Sequence, residues 1–178
     1  IGSAITFKDD GPAVDVTAVG SSVTLDETDA FTDGFPITAT SDASILTMTH
    51  DFGADGAAAS GSIVYTLTVA DAESGLKTAQ GDYDITLVQT DADTITGQYN
   101  GSETAFTIEI LSDGTLQVTQ YVALEHGDVT DHDDPLTLTD KITAVVTLTD
   151  ADGDTASDSI DIGSAITFKD DGPAVDVT

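Results

Sequence analysis

The run Asp150-Ala151-Asp152-Gly153-Asp154 sets carboxylates at alternate positions around a glycine. A sharp turn lets the three side chains converge, and Gly153 permits such a turn. Hard carboxylate oxygens select Ca2+ over zinc or copper. The alternative is a plain acidic hairpin turn, which aspartate also suits. The run departs from the helix–loop–helix calcium loop. Its glycine stands fourth rather than sixth, and its twelfth position is Asp161 rather than glutamate. A second acidic element, Lys8-Asp9-Asp10-Gly11-Pro12, recurs as Lys169-Asp170-Asp171-Gly172-Pro173. Asp9, Asp10, Asp150, Asp152 and Asp154 form the primary candidate calcium set. Asp26 and Glu27, Asp51 and Asp55 in DFGADG, and Asp170 and Asp171 form a secondary set. Further acids stand at Asp29, at Asp91 and Asp93, and around His132 at Asp128, Asp131, Asp133 and Asp134. Charge runs of this kind are ordinarily solvated loops.

Other chemistries fit less well. His50, His126 and His132 are the only histidines. The last two share an acidic loop, so a zinc site of histidines and aspartates is conceivable, but the spacing gives no closed shell of four ligands. No GxSxG nucleophile turn is present, and no glutamate pair sits on facing strands for glycoside hydrolysis. The chain is therefore not expected to be an enzyme. With 4 lysines and arginines against 33 acids, the net charge is −29. Nucleic acid is an unsuitable partner, because no basic patch meets phosphates. Such charge destabilises a compact state unless cations offset it. Two readings stand: specific divalent binding, and a diffuse acidic surface suited to high salt, where screening is strong. Only Glu27, Glu73, Glu103, Glu109 and Glu125 are glutamates, so most of the acid is the residue that favours turns. There is no cysteine for disulfides or thiolate sites. No apolar run is long enough to insert into a membrane.

The elements that position these residues are strands. Period-two alternation runs through Ile63–Val69, Tyr83–Gln89, Glu103–Leu111 and Ile142–Leu148, with threonines on the outward side. Asn100-Gly101 and Asp113-Gly114 mark tight hairpins. Tyr83–Gln89, Thr94–Tyr99, Glu103–Leu111 and Thr115–Tyr121 form a predicted four-strand meander. A last hairpin pairs Leu138–Thr149 with Thr155–Phe168 across Asp150–Asp154, with Gly163 as a bulge. Earlier strands are expected at Ala13–Val19, Ser22–Leu25, Ile37–Thr40 and Ile45–His50, and a short helical turn at Tyr121–His126. Nine or ten such strands predict an all-β, immunoglobulin-like antiparallel β-sandwich, enlarged over the usual size.

Ile1–Thr17 recurs without a mismatch as Ile162–Thr178, an offset of 161 residues. The chain thus reads as one module of a tandem array. Residues 1–8 are the expected last-strand remnant of a preceding repeat, 9–169 the single sandwich module, and 170–178 the start of the next. Both ends are expected to be loosely held or to pair with a neighbouring chain. In an immunoglobulin-like sandwich the loop between the last two strands lies at the end where the chain enters. Asp9 and Asp10 should therefore meet the Asp150–Asp154 hairpin, and unneutralised carboxylates there would repel one another.

TDADGDTASDSI followed by ITFKDDGP resembles the repeat boundaries of large bacterial RTX-type adhesins exported by type I secretion. VTLDET and DFGADGAAASGSIVYTLTV are similar to motifs in the repeats of those proteins. The resemblance implies an immunoglobulin-like extender module, repeated many times, that binds Ca2+ at module junctions. It implies a place on the bacterial cell surface, outside the cell, in a protein serving adhesion and biofilm formation. Neighbouring repeats of the same polypeptide would be the partners, packed end to end in a monomer. The glycine-rich calcium β-roll nonapeptide of that family is missing from this sequence. The competing reading is a carbohydrate- or protein-binding adhesive module, although the chain has no tryptophan and few aromatic residues.

Overall fold

The computed structural model describes residues 10–30, 34–128, 130–131 and 133–171. Among them the elements are fourteen strands and two single-turn 3-10 helices. The first strands are β1 (Ala13–Val19), β2 (Val23–Asp26), β3 (Ile37–Thr40), β4 (Leu46–Asp51) and β5 (Ile63–Val69). Next come β6 (Glu73–Lys77), β7 (Asp84–Gln89), β8 (Thr94–Tyr99), β9 (Glu103–Ile110) and β10 (Leu116–Gln120). The chain closes with β11 (Pro135–Thr137), β12 (Ile142–Thr149), β13 (Thr155–Asp161) and β14 (Ile166–Lys169).

The predicted meander forms and is extended at both edges. The resulting sheet has the order β3-β10-β9-β8-β7-β6. Three smaller sheets, β13-β12-β5, β1-β4 and β11-β14-β2, complete the molecule. Strand β5 packs across β7, β8 and β9, while β2 packs on β3 and β10. The result is an all-β sandwich built almost wholly from antiparallel pairs, the parallel contact of β14 with β2 excepted. Alternation places Phe106, Ile108, Ile142, Ala144, Val146 and Leu148 fully inside. Phe106 meets Phe168 across the core with ring centroids 5.1 Å apart.

Three local expectations fail, each for a physical reason. Tyr121–His126 is not helical: Tyr121 N donates to Ala105 O, Leu124 N to Glu27 Oε1 and Glu125 N to Lys77 O. In a helical turn Leu124 N and Glu125 N would have bonded back to Tyr121 O. The strand β6 was not expected because its inner face carries the polar Ser74 beside a single apolar residue, Leu76, and Gly75, at φ +78°, lies within a register shift. Nor was β11, a three-residue edge strand that opens on proline, as an edge permits.

The last hairpin is longer than one sheet. Its register runs from Thr149↔Thr155 to Thr143↔Asp161. It continues through Leu138 N donating to Gly163 O, and ends with Thr137↔Thr167 and Pro135↔Lys169. At Gly163–Ala165 a 3-10 turn replaces the expected simple bulge, and the strand passes into a second sheet. Asp150–Asp154 and Asp170 therefore stand at opposite ends of one hairpin. Residues 1–8 and 173–178, expected to belong to neighbouring repeats, lie outside the described residues, as do Asp9 and His132.

Candidate metal centres

Two groups of described residues bring three ligand atoms each within 4.8 Å of one another: Asp150, Asp152 and Asp154, and Glu27, His126 and Asp170.

The first is built by the hairpin between β12 and β13. Gly153 takes φ +103°, which a side chain would resist. Asp150 Oδ1 accepts from Gly153 N at 3.0 Å and Asp154 N at 2.7 Å, which folds the carboxylates onto one side. Asp150 is 1% exposed, and its Oδ2 has no hydrogen-bond partner among the described residues. A buried carboxylate oxygen left so is costly, and a bound cation would supply the missing partner. Asp152 and Asp154 are exposed at the mouth.

The DFGADG turn docks beside this hairpin. Ala151 N donates to Gly56 O at 2.9 Å, and Ala57 bridges Asp150. Asp51 Oδ1 accepts from Gly53 N, closing its own turn, and Asp55 is exposed. The entering chain meets both. Asp10 Oδ2 accepts from Ala54 N at 3.3 Å, and the site for a Cβ on Gly53 lies 2.7 Å from Asp10 O. The corresponding site on Gly11 lies 3.7 Å from Asp154 Oδ2. The entry segment, the DFGADG turn and the DADGD hairpin thus share one end of the sandwich. The contact of Asp10 with the DFGADG turn has no signal in sequence spacing.

The second group lies at the far end. Parallel pairing sets Lys169 opposite Asp26, so the residues that follow them, Asp170 and Glu27, come together. Asp26 caps the 3-10 turn by accepting from Thr28 N, whereas Glu27 is 3% exposed and faces inward. Glu27 Oε1 accepts from Gln120 Nε2 at 2.6 Å and Leu124 N at 2.8 Å. His126 Nε2 stands 3.8 Å from that oxygen. Burial pushes the His126 pKa down, but Glu27, Asp170 and the Asp134 backbone outweigh it, and the net shift is upward. Asp171 is exposed, its amide donating to Asp170 Oδ1.

In the acidic loop around Asp128–Asp134, the carboxylates of Asp128, Asp131 and Asp134 accept from the loop's own backbone. Asp134 Oδ2 accepts from Gly127 N and Asp128 N, and Asp128 Oδ1 accepts from Thr130 N. Sequence grouping set Glu27 beside Asp26 and His126 beside His132. The structure instead joins Glu27, His126 and Asp170, a meeting legible only from the register of β14 on β2.

A family model described as Domain of unknown function (DUF5801) matches residues 22–163. No curated protein and no solved structure matches the chain.

Proposed function

The chain belongs to the DUF5801 family, a family of unknown function, and we propose that it is a structural extender module of a bacterial cell-surface adhesin. In this reading it is an immunoglobulin-like repeat, stiffened by Ca2+ at its junctions, that holds ligand-binding domains away from the cell for adhesion and biofilm formation. One observation carries the proposal. The segment that enters the module, Asp10-Gly11, lies against the DFGADG turn and beside Asp154, next to a buried carboxylate oxygen with no hydrogen-bond partner among the described residues.

Calcium takes six to eight oxygens. Asp150, Asp152 and Asp154 supply the carboxylates, with backbone carbonyls and water to complete the shell. Neutralising them removes the mutual repulsion that would otherwise push the hairpin and entry segment apart. The repeat also gives the linker two anchors. Asp170 and Asp171 correspond to Asp9 and Asp10 one period later. In an array, Asp170 stays with Glu27 and His126 of its own module, and Asp171 takes the place of Asp10 against the next module's turn. A two-residue linker held on both sides has little hinge freedom.

Calorimetric titration of the chain with Ca2+ tests the site. Heat is expected for the wild type and is reduced at least about tenfold in affinity when Asp152 and Asp154 are both replaced by alanine, because two hard ligands are lost. Titration curves that are superimposable for the two proteins would refute it.

A second reading, an adhesive module for carbohydrate or protein, also has an observation behind it. A cleft of about 390 Å³ is lined by Tyr83, Tyr99 and Tyr121 with Phe35, Gln80 and Glu103. Tyr83 and Tyr121 are about two-fifths exposed. Aromatic faces with polar neighbours suit sugar rings. A glycan array on the wild-type chain and Tyr83→Ala separates the two readings.

A further inference from the structure

We propose that Glu27, His126 and Asp170 form a second metal site, which takes a d-block divalent cation of the zinc type and not calcium. The histidine side chain is 2% exposed, and neither ring nitrogen has a hydrogen-bond partner among the described residues. A buried imidazole normally satisfies at least one nitrogen, because leaving both bare forfeits the hydration it had in water. The nitrogen nearest Glu27 is 3.8 Å away, beyond hydrogen-bond reach. An ion seated between Nε2 and the carboxylates supplies that nitrogen with the partner it lacks.

The donor set decides the class of ion. One imidazole nitrogen with two carboxylates suits zinc and its d-block neighbours, whereas calcium selects oxygen alone. Tetrahedral ligands about 2.0–2.1 Å from zinc lie about 3.4 Å apart. His126 Nε2 and Glu27 Oε1 stand 3.8 Å apart, so this pair draws inward by a few tenths of an ångström on binding. Asp170, the half-buried member, lies just beyond the end of β14 and can move without disturbing the core. Glu27 is already oriented by Gln120 Nε2 and Leu124 N, the outer-shell support that ligating carboxylates need. Three protein ligands leave a fourth position for water.

The site does not depend on the extender reading. Where that reading holds, it locks the exit side of the linker as calcium locks the entry side.

Cobalt is the probe, added to the full chain in saturating Ca2+ and followed by visible absorption, then displaced by Zn2+. One Co2+ per chain is expected, with the bands of a low-coordinate nitrogen–oxygen site. His126→Asn and Asp170→Asn each weaken it by at least about tenfold, while His132→Asn leaves it unchanged. Should His126→Asn fail to fold, Asp170→Asn carries the test, since that side chain is only half buried. Absence of cobalt and zinc binding in the wild type would overturn the proposal, as would binding that both variants leave intact. The heat of calcium binding, measured separately, reports on the entry-end site alone, so the two proposals can fail independently.

Discussion

Asp158 ties two sheets together with one carboxylate. Its Oδ2 accepts from Val16 N at 2.7 Å, bridging β13 to β1, which has no backbone ladder to that strand. The Val16 amide, with that of Ser159, holds the Asp158 pKa below the usual carboxylate range. A lowered folded pKa means that the contribution is present above the unfolded value, near 4, and is lost as pH falls through the folded one. The Val16 amide should therefore be protected from hydrogen exchange at neutral pH and lose that protection in acid. In Asp158→Ala it should be poorly protected at both. Equal protection factors in the two proteins at neutral pH would contradict this role. At this scale the sequence is a partial guide. Asp150, Asp152 and Asp154 are legible because one tight turn joins them. Glu27 is not, since only its position after the end of β2 turns it inward while Asp26 caps the neighbouring turn.

Among the elements, the corner at Gly163 decides how the last hairpin serves two sheets. An ideal Cβ on Gly163 would stand 1.7 Å from Leu138 O and 3.0 Å from Thr139 N. Both are backbone atoms, so no side chain can rotate away. Gly163→Ala should cost about 3 kcal/mol, the upper part of the range for overpacking, read as a fall in the urea midpoint. An unchanged midpoint would show that the corner yields freely. Alternation and hairpin dipeptides made most strands readable: β1, β3 and β8 fall at the expected residues. What they could not convey was the change of sheet. Thr155–Phe168 reads as one continuous strand, because a glycine chosen for close backbone approach looks the same in sequence as one chosen for a bulge. The three-residue β11 lacks the length for a period to show, and β6 sets the polar Ser74 on its inner face.

Taken whole, the molecule places its two candidate metal centres at opposite ends of one hairpin, so chain entry and chain exit each have an anchoring point. A net charge of −29 sits on a sandwich whose described lysines are all paired: Lys77 with Asp82, Lys141 with Asp71, and Lys169 with Asp133. Little internal cation is left to offset the acids, a task the proposed bound metal would take on. The all-β sandwich was legible from composition and period. The meeting of linker and hairpin at one end followed from the expected order of the last strands, whereas the DFGADG turn beside them did not. The second centre did not, because its members come from three distant segments joined only by folding. Small-angle scattering on a chain of two consecutive modules tests whether calcium stiffens the junction. In Ca2+ a larger maximum dimension and the profile of a stiff rod are expected, collapsing to that of a flexible pair when calcium is chelated. Identical profiles in calcium and in chelator would contradict it.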